Sequence, residues 1–350
     1  MFRCFSLTFF IPFFVFCQDI NKTEWSQQCV NIDGGKPNRT YGGNNWYAGF
    51  SDHLPIFCEF ESPQIFTMFY NVENLFDTID DPIKNDNSFL PESAKKWNSI
   101  KYYRKLDNLE RVFAAINNLE YPNIIGLCEV ENKLVIEDLL KQPFFVDHTY
   151  SIIHQDSPDG RGIDCAILFD SKFKLITEEF IEIKIPGSSK PTRDIVYAKL
   201  QTESDTINVF VNHWSSRWGG TKETEHKRVF AANTLKEFIE KNINKSEKVI
   251  IMGDFNDYPF NESLQNTLLK LQKIKLINLM SNLDLGSYNY RGGWGWLDQI
   301  IISENLIKNA KQYGSFSEQW MMYYPESSLR CKRRTYCTNK KCYQHHGNCY

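Results

Sequence analysis

Four strand-length apolar runs of this chain end in Asn, Asp, Glu or His and a fifth encloses a lone Asp, the donors needed to hydrolyse a phosphodiester. That reaction requires a cation to neutralise phosphate charge, a base for the attacking water and help for the leaving oxygen. A hard cation prefers oxygen ligands, so carboxylates and amides at strand ends with histidines nearby are the pattern to seek. The run Ile65–Tyr70 passes into Asn71-Val72-Glu73-Asn74. An amide oxygen there could bind a cation, although Asn at a strand end is more often turn chemistry. The run Ile124–Cys128 ends in Glu129, with Glu131 two residues on and on the same face if the strand continues. A carboxylate closing an apolar strand calls for a partner or a metal. The run Ile207–Val211 delivers Asn212-His213-Trp214, with Arg217 a turn later, and a lone His is more often structural. The run Val249–Met252 delivers Gly253-Asp254-Phe255-Asn256-Asp257, where Asp254 and Asn256 share one face and could orient water and phosphate together. Finally, Asp298 stands alone inside the apolar stretch Leu297–Ile302 and needs a cationic or hydrogen-bonding partner. Ser51-Asp52-His53-Leu54-Pro55, directly before another apolar run, offers a histidine.

The elements that must position these residues are legible as alternating patterns. Apolar runs recur at Leu54–Phe60, Ile65–Tyr70, Ile124–Cys128, Cys165–Phe169, Ile195–Leu200, Ile207–Val211, Val249–Met252 and Leu297–Ile302, several ending directly in Gly, Asn or Asp. Helical spacing is carried by Leu106, Leu109, Val112, Phe113, Ile116 and Leu119, and again by Val229, Ala232, Leu235, Phe238 and Ile239. Strands outnumber helices and several are bounded by long polar loops, which favours stacked sheets with helices outside over a simple alternating parallel fold.

Taken together the segments resemble the endonuclease/exonuclease/phosphatase superfamily, which includes pancreatic-type deoxyribonucleases, abasic-site endonucleases, neutral sphingomyelinases and inositol-polyphosphate phosphatases. The resemblance spans most of residues 49–303, and its most specific elements are GDFND at 253–257, SDHLP at 51–55 and LDQI at 297–300. It implies an α/β (α+β) four-layer sandwich, two packed mixed β-sheets flanked by helices. It also implies Asn71 and Glu129 as metal ligands, with Asp52 completing the site directly or through water. Asp254 then orients or deprotonates water, and Asn256 binds phosphate. His53, held by Asp298, stabilises or protonates phosphoryl oxygens, and His213 acts as a second histidine at the phosphate. Arg161, Asp164 and Arg217 are candidate substrate contacts, with a solvated face or a structural ion pair an equal alternative. The implied cofactor is Mg2+, with Mn2+ or Ca2+ as alternatives.

One feature of the order departs from the family, where the Ser-Asp-His motif and its strand come last; in this chain they come first. Three readings stay open. A circular permutation would join Leu54–Phe60 to Ile65–Tyr70 through a hairpin-length loop, Glu61-Ser62-Pro63-Gln64. The chain could instead be one unit of a tandem array or a gene model with misassigned ends. Or two chains could exchange strands, making a dimer the active form in place of the favoured monomer.

The remaining composition narrows the setting. Among 350 residues, 42% hydrophobic content is ample for a sizeable core. A net charge of −3 provides no global attraction for phosphate polymers, so nucleic-acid affinity must be local. Met1-Phe2-Arg3 followed by an apolar run from Phe5 to Phe16 reads as a signal peptide over 1–17. That run is short of the ~20 residues a spanning helix needs, and Pro12 interrupts it. Residues 18–48 read as polar loop, 49–325 as the domain, and 326–350 as a basic tail with Cys331, Cys337, Cys342 and Cys349. The expected protein is secreted, extracellular or periplasmic, without a transmembrane segment. Its expected substrate is nucleic acid, with a lipid or sugar phosphoester as the rival within the enzyme class and a non-catalytic binding module as the rival outside it.

Overall fold

The computed structural model describes residues 35–188, 190–202 and 205–324, with the backbone of two further strands at Tyr336–Thr338 and Lys341–Tyr343. The signal segment and the cysteine side chains of the tail lie outside the described residues.

Each of the eight expected apolar runs is a strand, and with four further edge strands they form two six-stranded sheets. In the first, β1 (Ile56–Glu61) forms a hairpin with β2 (Gln64–Leu75), which runs parallel to β3 (Ile124–Val130). Outside β3 lie β5 (Asp164–Asp170) and then β4 (Tyr150–His154). In the second, β7 (Ile195–Gln201) pairs antiparallel with β8 (Thr206–His213), which runs parallel to β9 (Lys248–Asp254), and β9 pairs antiparallel with β11 (Asp298–Ser303). The four sheet edges are β4, β6 (Lys174–Ile181), β10 (Leu276–Asn278) and β12 (Ala310–Ser315). None of the four shows as an apolar run, and β6 explains why: most of it faces water.

The period-two alternation builds the layers. Val209, Val211, Ile250 and Met252 point into the core shared with Ile124, Ile167 and Phe69 of the other sheet. Phe210 and Ile251 point outward and are covered by Ala232, Leu235 and Ile239 of α3 (Thr221–Asn242). On the opposite side, Leu106, Leu109, Val112 and Phe113 of α1 (Ser99–Ile116) cover Met68, Tyr70, Ile125 and Leu127. The sheets approach closely at Gly126, where a Cβ would stand 2.8 Å from both Met252 and Val211. Asn98 caps α1, accepting the Lys101 N–H at 3.2 Å. The helix stops at Ile116, short of the expected Leu119, because Asn118 turns left-handed at φ 52° and leaves Leu119 exposed. A third helix, α2 (Lys133–Leu140), was not expected; at two turns it is too short to establish a period.

Residues 36–48, expected as polar loop, are ordered against the domain. Lys36–Pro37 pairs antiparallel with Met322–Tyr323, which brings the two ends of the main described body side by side. Asn108 of α1 donates to the Ala48 and Gly49 carbonyls at 3.0 and 2.9 Å. Cys58, Cys128 and Cys165 are buried free thiols. No helix among the described residues is long and apolar enough to cross a membrane.

Candidate active site

The chemistry-bearing residues converge because the strands that carry them end at the same level. His213, Asp254 and Asp298 lie in one row, Asp254 paired in register with His213 on β8 and with Asp298 on β11. Across the sandwich Asn71 pairs with Cys128, and Glu129 follows at a register shift between Cys128 and Val130. Glu129 adopts a left-handed φ of 64° there, and such a bulge re-aims a side chain that a regular strand would send elsewhere. Asn256 is likewise left-handed at φ 51°, just past Gly253, where a Cβ would lie 2.3 Å from the Asn212 carbonyl oxygen. The glycine of GDFND is therefore required by close backbone approach.

At the centre, Asp254 Oδ2 accepts from Asn71 Nδ2 at 3.1 Å and lies 3.9 Å from His53 Nε2 and 3.8 Å from His213 Nε2. Its Oδ1 accepts the Asn256 backbone N–H at 2.9 Å. His53 Nδ1 and Asp298 Oδ2 are 2.7 Å apart within one chain. Ser51 Oγ donates to the Asn71 carbonyl at 2.7 Å and accepts the His53 N–H at 3.1 Å, tying the segment that carries His53 to β2. Glu129 accepts from Asn71 Nδ2 at 3.4 Å and from the Asn74 N–H at 2.9 Å, and lies 3.9 Å from His213.

The two histidines titrate apart. Burial pulls the His53 pKa down, but the charges of Asp298, Asp254 and Asp52 outweigh it and the net shift is well above the ordinary value. His213 is buried too and faces the positive field of Arg193, Arg161 and His53, so its pKa falls well below the usual range. The surroundings thus bias His53 towards the imidazolium and His213 towards the neutral ring. Burial pushes Asp254 up to about 7, His53 pulling against it and Asp298 and Glu129 adding to it.

The sequence-derived residues are thus partly gathered. His53, Asn71, Glu129, His213, Asp254, Asn256 and Asp298 form one cluster. Asp52 does not join Asn71 and Glu129; it pairs with Arg39 at 3.1 Å, and Arg39 also reaches Glu73 at 3.0 Å. Arg161 is more than half exposed beside Asp159, at 3.4 Å. Asp164 is buried and accepts from the Ser157 N–H at 3.1 Å. Arg217 donates to the Asn256 carbonyl at 2.7 Å, to Asp257 at 3.1 Å and to Asn261 at 2.8 Å, and so braces the loop that holds Asn256.

Sequence reasoning missed several supporting groups. Tyr288 packs against His53 with the rings tilted by 38° and their centroids 4.7 Å apart, and Ser287 Oγ accepts the Asp298 N–H at 3.1 Å. Arg193 donates to Asp159 at 3.1 Å and to the Trp214 carbonyl at 2.7 Å, the oxygen that also receives Asn256 Nδ2 at 3.1 Å. Arg228 is fully buried in an ion pair with Asp257 at 2.8 Å. Its signal was available: Arg228 falls four residues before Ala232 and seven before Leu235, on the apolar stripe of α3, where a charge demands a partner. Replacing Arg228 with Met is expected to cost roughly 3–5 kcal/mol of stability, because it strands part of the Asp257 charge in the interior. Urea unfolding followed by circular dichroism checks this.

A divalent cation suits this donor set. Three carboxylates converge on two imidazoles, Asp254 and Asp298 on His53 and Asp254 and Glu129 on His213. Glu129 supplies an oxygen beside Asp254, and Asn71, which turns Nδ2 to both carboxylates while its oxygen accepts the Glu73 N–H at 3.0 Å, would ligate with its amide turned over.

A family model for the endonuclease/exonuclease/phosphatase family matches residues 66–346. The chain belongs to that family, whose members are metal-dependent phosphoesterases. Among solved structures it is similar to humanized D. rerio TDP2, at 16% identity over 72% of this chain and 84% of that one, with a TM-score of 0.46. An endonuclease/exonuclease/phosphatase from Bacteroides vulgatus is 15% identical over 63% and 84%, with a TM-score of 0.45. The human Nocturnin catalytic domain is 18% identical over 52% and 70%, with a TM-score of 0.40. No curated protein sequence matches.

Proposed function

We propose that this protein is a secreted phosphodiesterase that hydrolyses nucleic acid with a divalent cation, Mg2+ first among candidates. The observation that carries the reading is geometric: Asn71 Nδ2, His213 Nε2 and His53 Nε2 stand 3.1, 3.8 and 3.9 Å from Asp254 Oδ2, and the same amide lies 3.4 Å from Glu129, with burial and charge pushing the two histidines in opposite directions. Paired titratable groups pushed in opposite directions are how one site supplies an acid and a base at one pH. Glu129 and Asn71 would hold the cation, which would neutralise phosphate charge and make water a better nucleophile.

The residues then divide the work. Asp254, ionised, takes the proton of the attacking water. Asn256, braced by Arg217 and the Trp214 carbonyl, fixes a phosphate oxygen. His53 donates its proton on the phosphoryl side, with Asp298 holding its ring and balancing its charge. His213, neutral, donates a hydrogen bond without adding another charge. Nucleic acid is favoured over lipid by exposed aromatic and guanidinium groups: Trp218 is 89% exposed, and Arg291 stands 5.1 Å over the ring of Tyr290, itself 59% exposed. Stacking on bases uses such mixed aromatic and guanidinium surfaces. The secretory reading rests on the N-terminal segment of the sequence. We read the chain order as a circular permutation, supported by the β1–β2 hairpin and by the pairing of Lys36–Pro37 with Met322–Tyr323.

Hydrolysis of plasmid DNA, of bis(p-nitrophenyl) phosphate and of sphingomyelin vesicles by the purified monomer, with Mg2+ or with chelator, tests the proposal. Expected is nicking of DNA that chelator abolishes and Mg2+ restores, with vesicles untouched. Hydrolysis of vesicles alone would move the substrate to lipid, and inactivity on all three would leave a binding module.

A further inference from the structure

A second group of ligating side chains lies on the outer flank of the first sheet, unused by the reaction above. His154 ends β4, Asp164 begins β5, and Asp156 sits in the loop between them. The side chains of His154 and Asp164 are 2% and 1% exposed, and that of Asp156 is 68% exposed. His154 Nε2 and Asp164 Oδ2 are buried without a hydrogen-bond partner and stand 3.8 Å apart. His154 Nδ1 lies 4.0 Å from Asp156 Oδ1. One ring nitrogen and one oxygen from each aspartate fall within 4.8 Å of one another.

Two unpartnered polar atoms facing each other are a cost, about 1–3 kcal/mol for each group left unsatisfied. A direct hydrogen bond would satisfy both at about 2.9 Å, and this pair stops well short of that. A cation with bonds near 2.1 Å keeps its donors roughly 3.4 Å apart, so closing 3.8 Å needs only a few tenths of an ångström. Asp156 is on the solvent side and free to swing in. A cavity of about 390 Å3 lined by Asn132, Lys133, Leu134, His154, Gln155 and Asp156 opens a path for entry. The nearby ammonium groups are engaged elsewhere: Lys84 donates to the Ser157 and Asp159 carbonyls at 2.6 and 3.0 Å, and Lys133 lies 3.9 Å from Glu137.

We propose that His154, Asp156 and Asp164 form a second divalent-cation site, separate from the Asp254 centre, that takes a borderline ion of the Zn2+ class through one imidazole and two carboxylates. Mixed nitrogen and carboxylate donors suit such ions better than Mg2+. Its purpose follows from its place. Asp164 pairs in register with Val130, the residue after Glu129, and residues 155–163 carry Arg161 and the Asp159 that anchors Arg193. An ion there would clamp that loop against the strand that presents Glu129. The proposal does not depend on the substrate assigned above.

The test is the Zn2+ content of full-length protein after gel filtration, by mass spectrometry, in a Glu129→Gln/Asp254→Asn background that disables the other centre. Adding His154→Gln is expected to remove one equivalent of Zn2+. Adding Asp156→Asn, an exposed change that leaves the fold intact, is expected to weaken the same equivalent by more than about tenfold. Co2+ in place of Zn2+ should show visible absorption bands that shift in His154→Gln. Equal metal content with and without His154→Gln, in protein whose circular dichroism is unchanged, would overturn the proposal whatever the phosphoesterase assay returns.

Discussion

Replacing His53 with alanine is expected to lower phosphodiester turnover by roughly 10²–10⁴-fold, the range for a positioned general acid, with little change in KM. The ring is the one positive charge that Asp298 and Asp254 both address, at 2.7 and 3.9 Å, so its removal withdraws the proton donor and leaves two buried carboxylates uncompensated. The pH profile separates these effects. His53 is held protonated well above its ordinary range, so in the wild type activity should fall on the alkaline side as that proton is lost. The variant should keep the acid limb and lose the alkaline one. An unchanged alkaline limb in His53→Ala would assign the proton donor to another group. Because His53 precedes β1, the same variant asks whether the strand at the front of the chain completes its own site: full activity restored by mixing with a second inactive variant would require exchange between chains.

The site was legible where chemistry and periodicity coincide, and illegible where it depends on folding back. A carboxylate such as Asp298 inside an apolar strand announces a partner, and the histidine at 53 was the available one; the 2.7 Å contact spans 245 positions of sequence yet follows from that need. Asp52 carries no comparable signal. Its partner, Arg39, lies in a polar segment that reads as loop, and only the docking of residues 36–48 on α1 brings them together. The edge strands escaped for a related reason: β6 buries so little that nothing constrains it to alternate, whereas β8 and β9 must be apolar on both faces between helix and core. His154 and Asp164 were separately visible as residues, but their convergence is a property of strand pairing between β4 and β5.

Asp254→Asn is expected to be the most damaging single change, about 10⁴-fold or more in turnover, because one carboxylate is asked for two things. Its Oδ2 faces Asn71, His53 and His213, and its Oδ1 holds the Asn256 N–H. An amide fills the same space and can keep the Asn256 contact through its oxygen, but it has no charge to balance the imidazolium and cannot take a proton from water. Stability should move little or rise, since burial already holds the native carboxyl near a pKa of about 7 and the amide removes that desolvation cost. The sign of the linkage follows. An acid whose folded pKa is raised from 3.8 to about 7 contributes stability below 3.8 that is lost as pH climbs towards 7, so the metal-free wild type should weaken relative to the variant across that window. Denaturant midpoints measured in chelator from pH 4 to 8 would read this directly. Activity runs the other way, rising through the same window as Asp254 ionises, and a bound cation would draw that rise to lower pH. Combining Asp254→Asn with His53→Ala should cost scarcely more than Asp254→Asn alone, because base and acid act as one unit across a single phosphate. Losses that multiplied would mean the two groups serve separate steps.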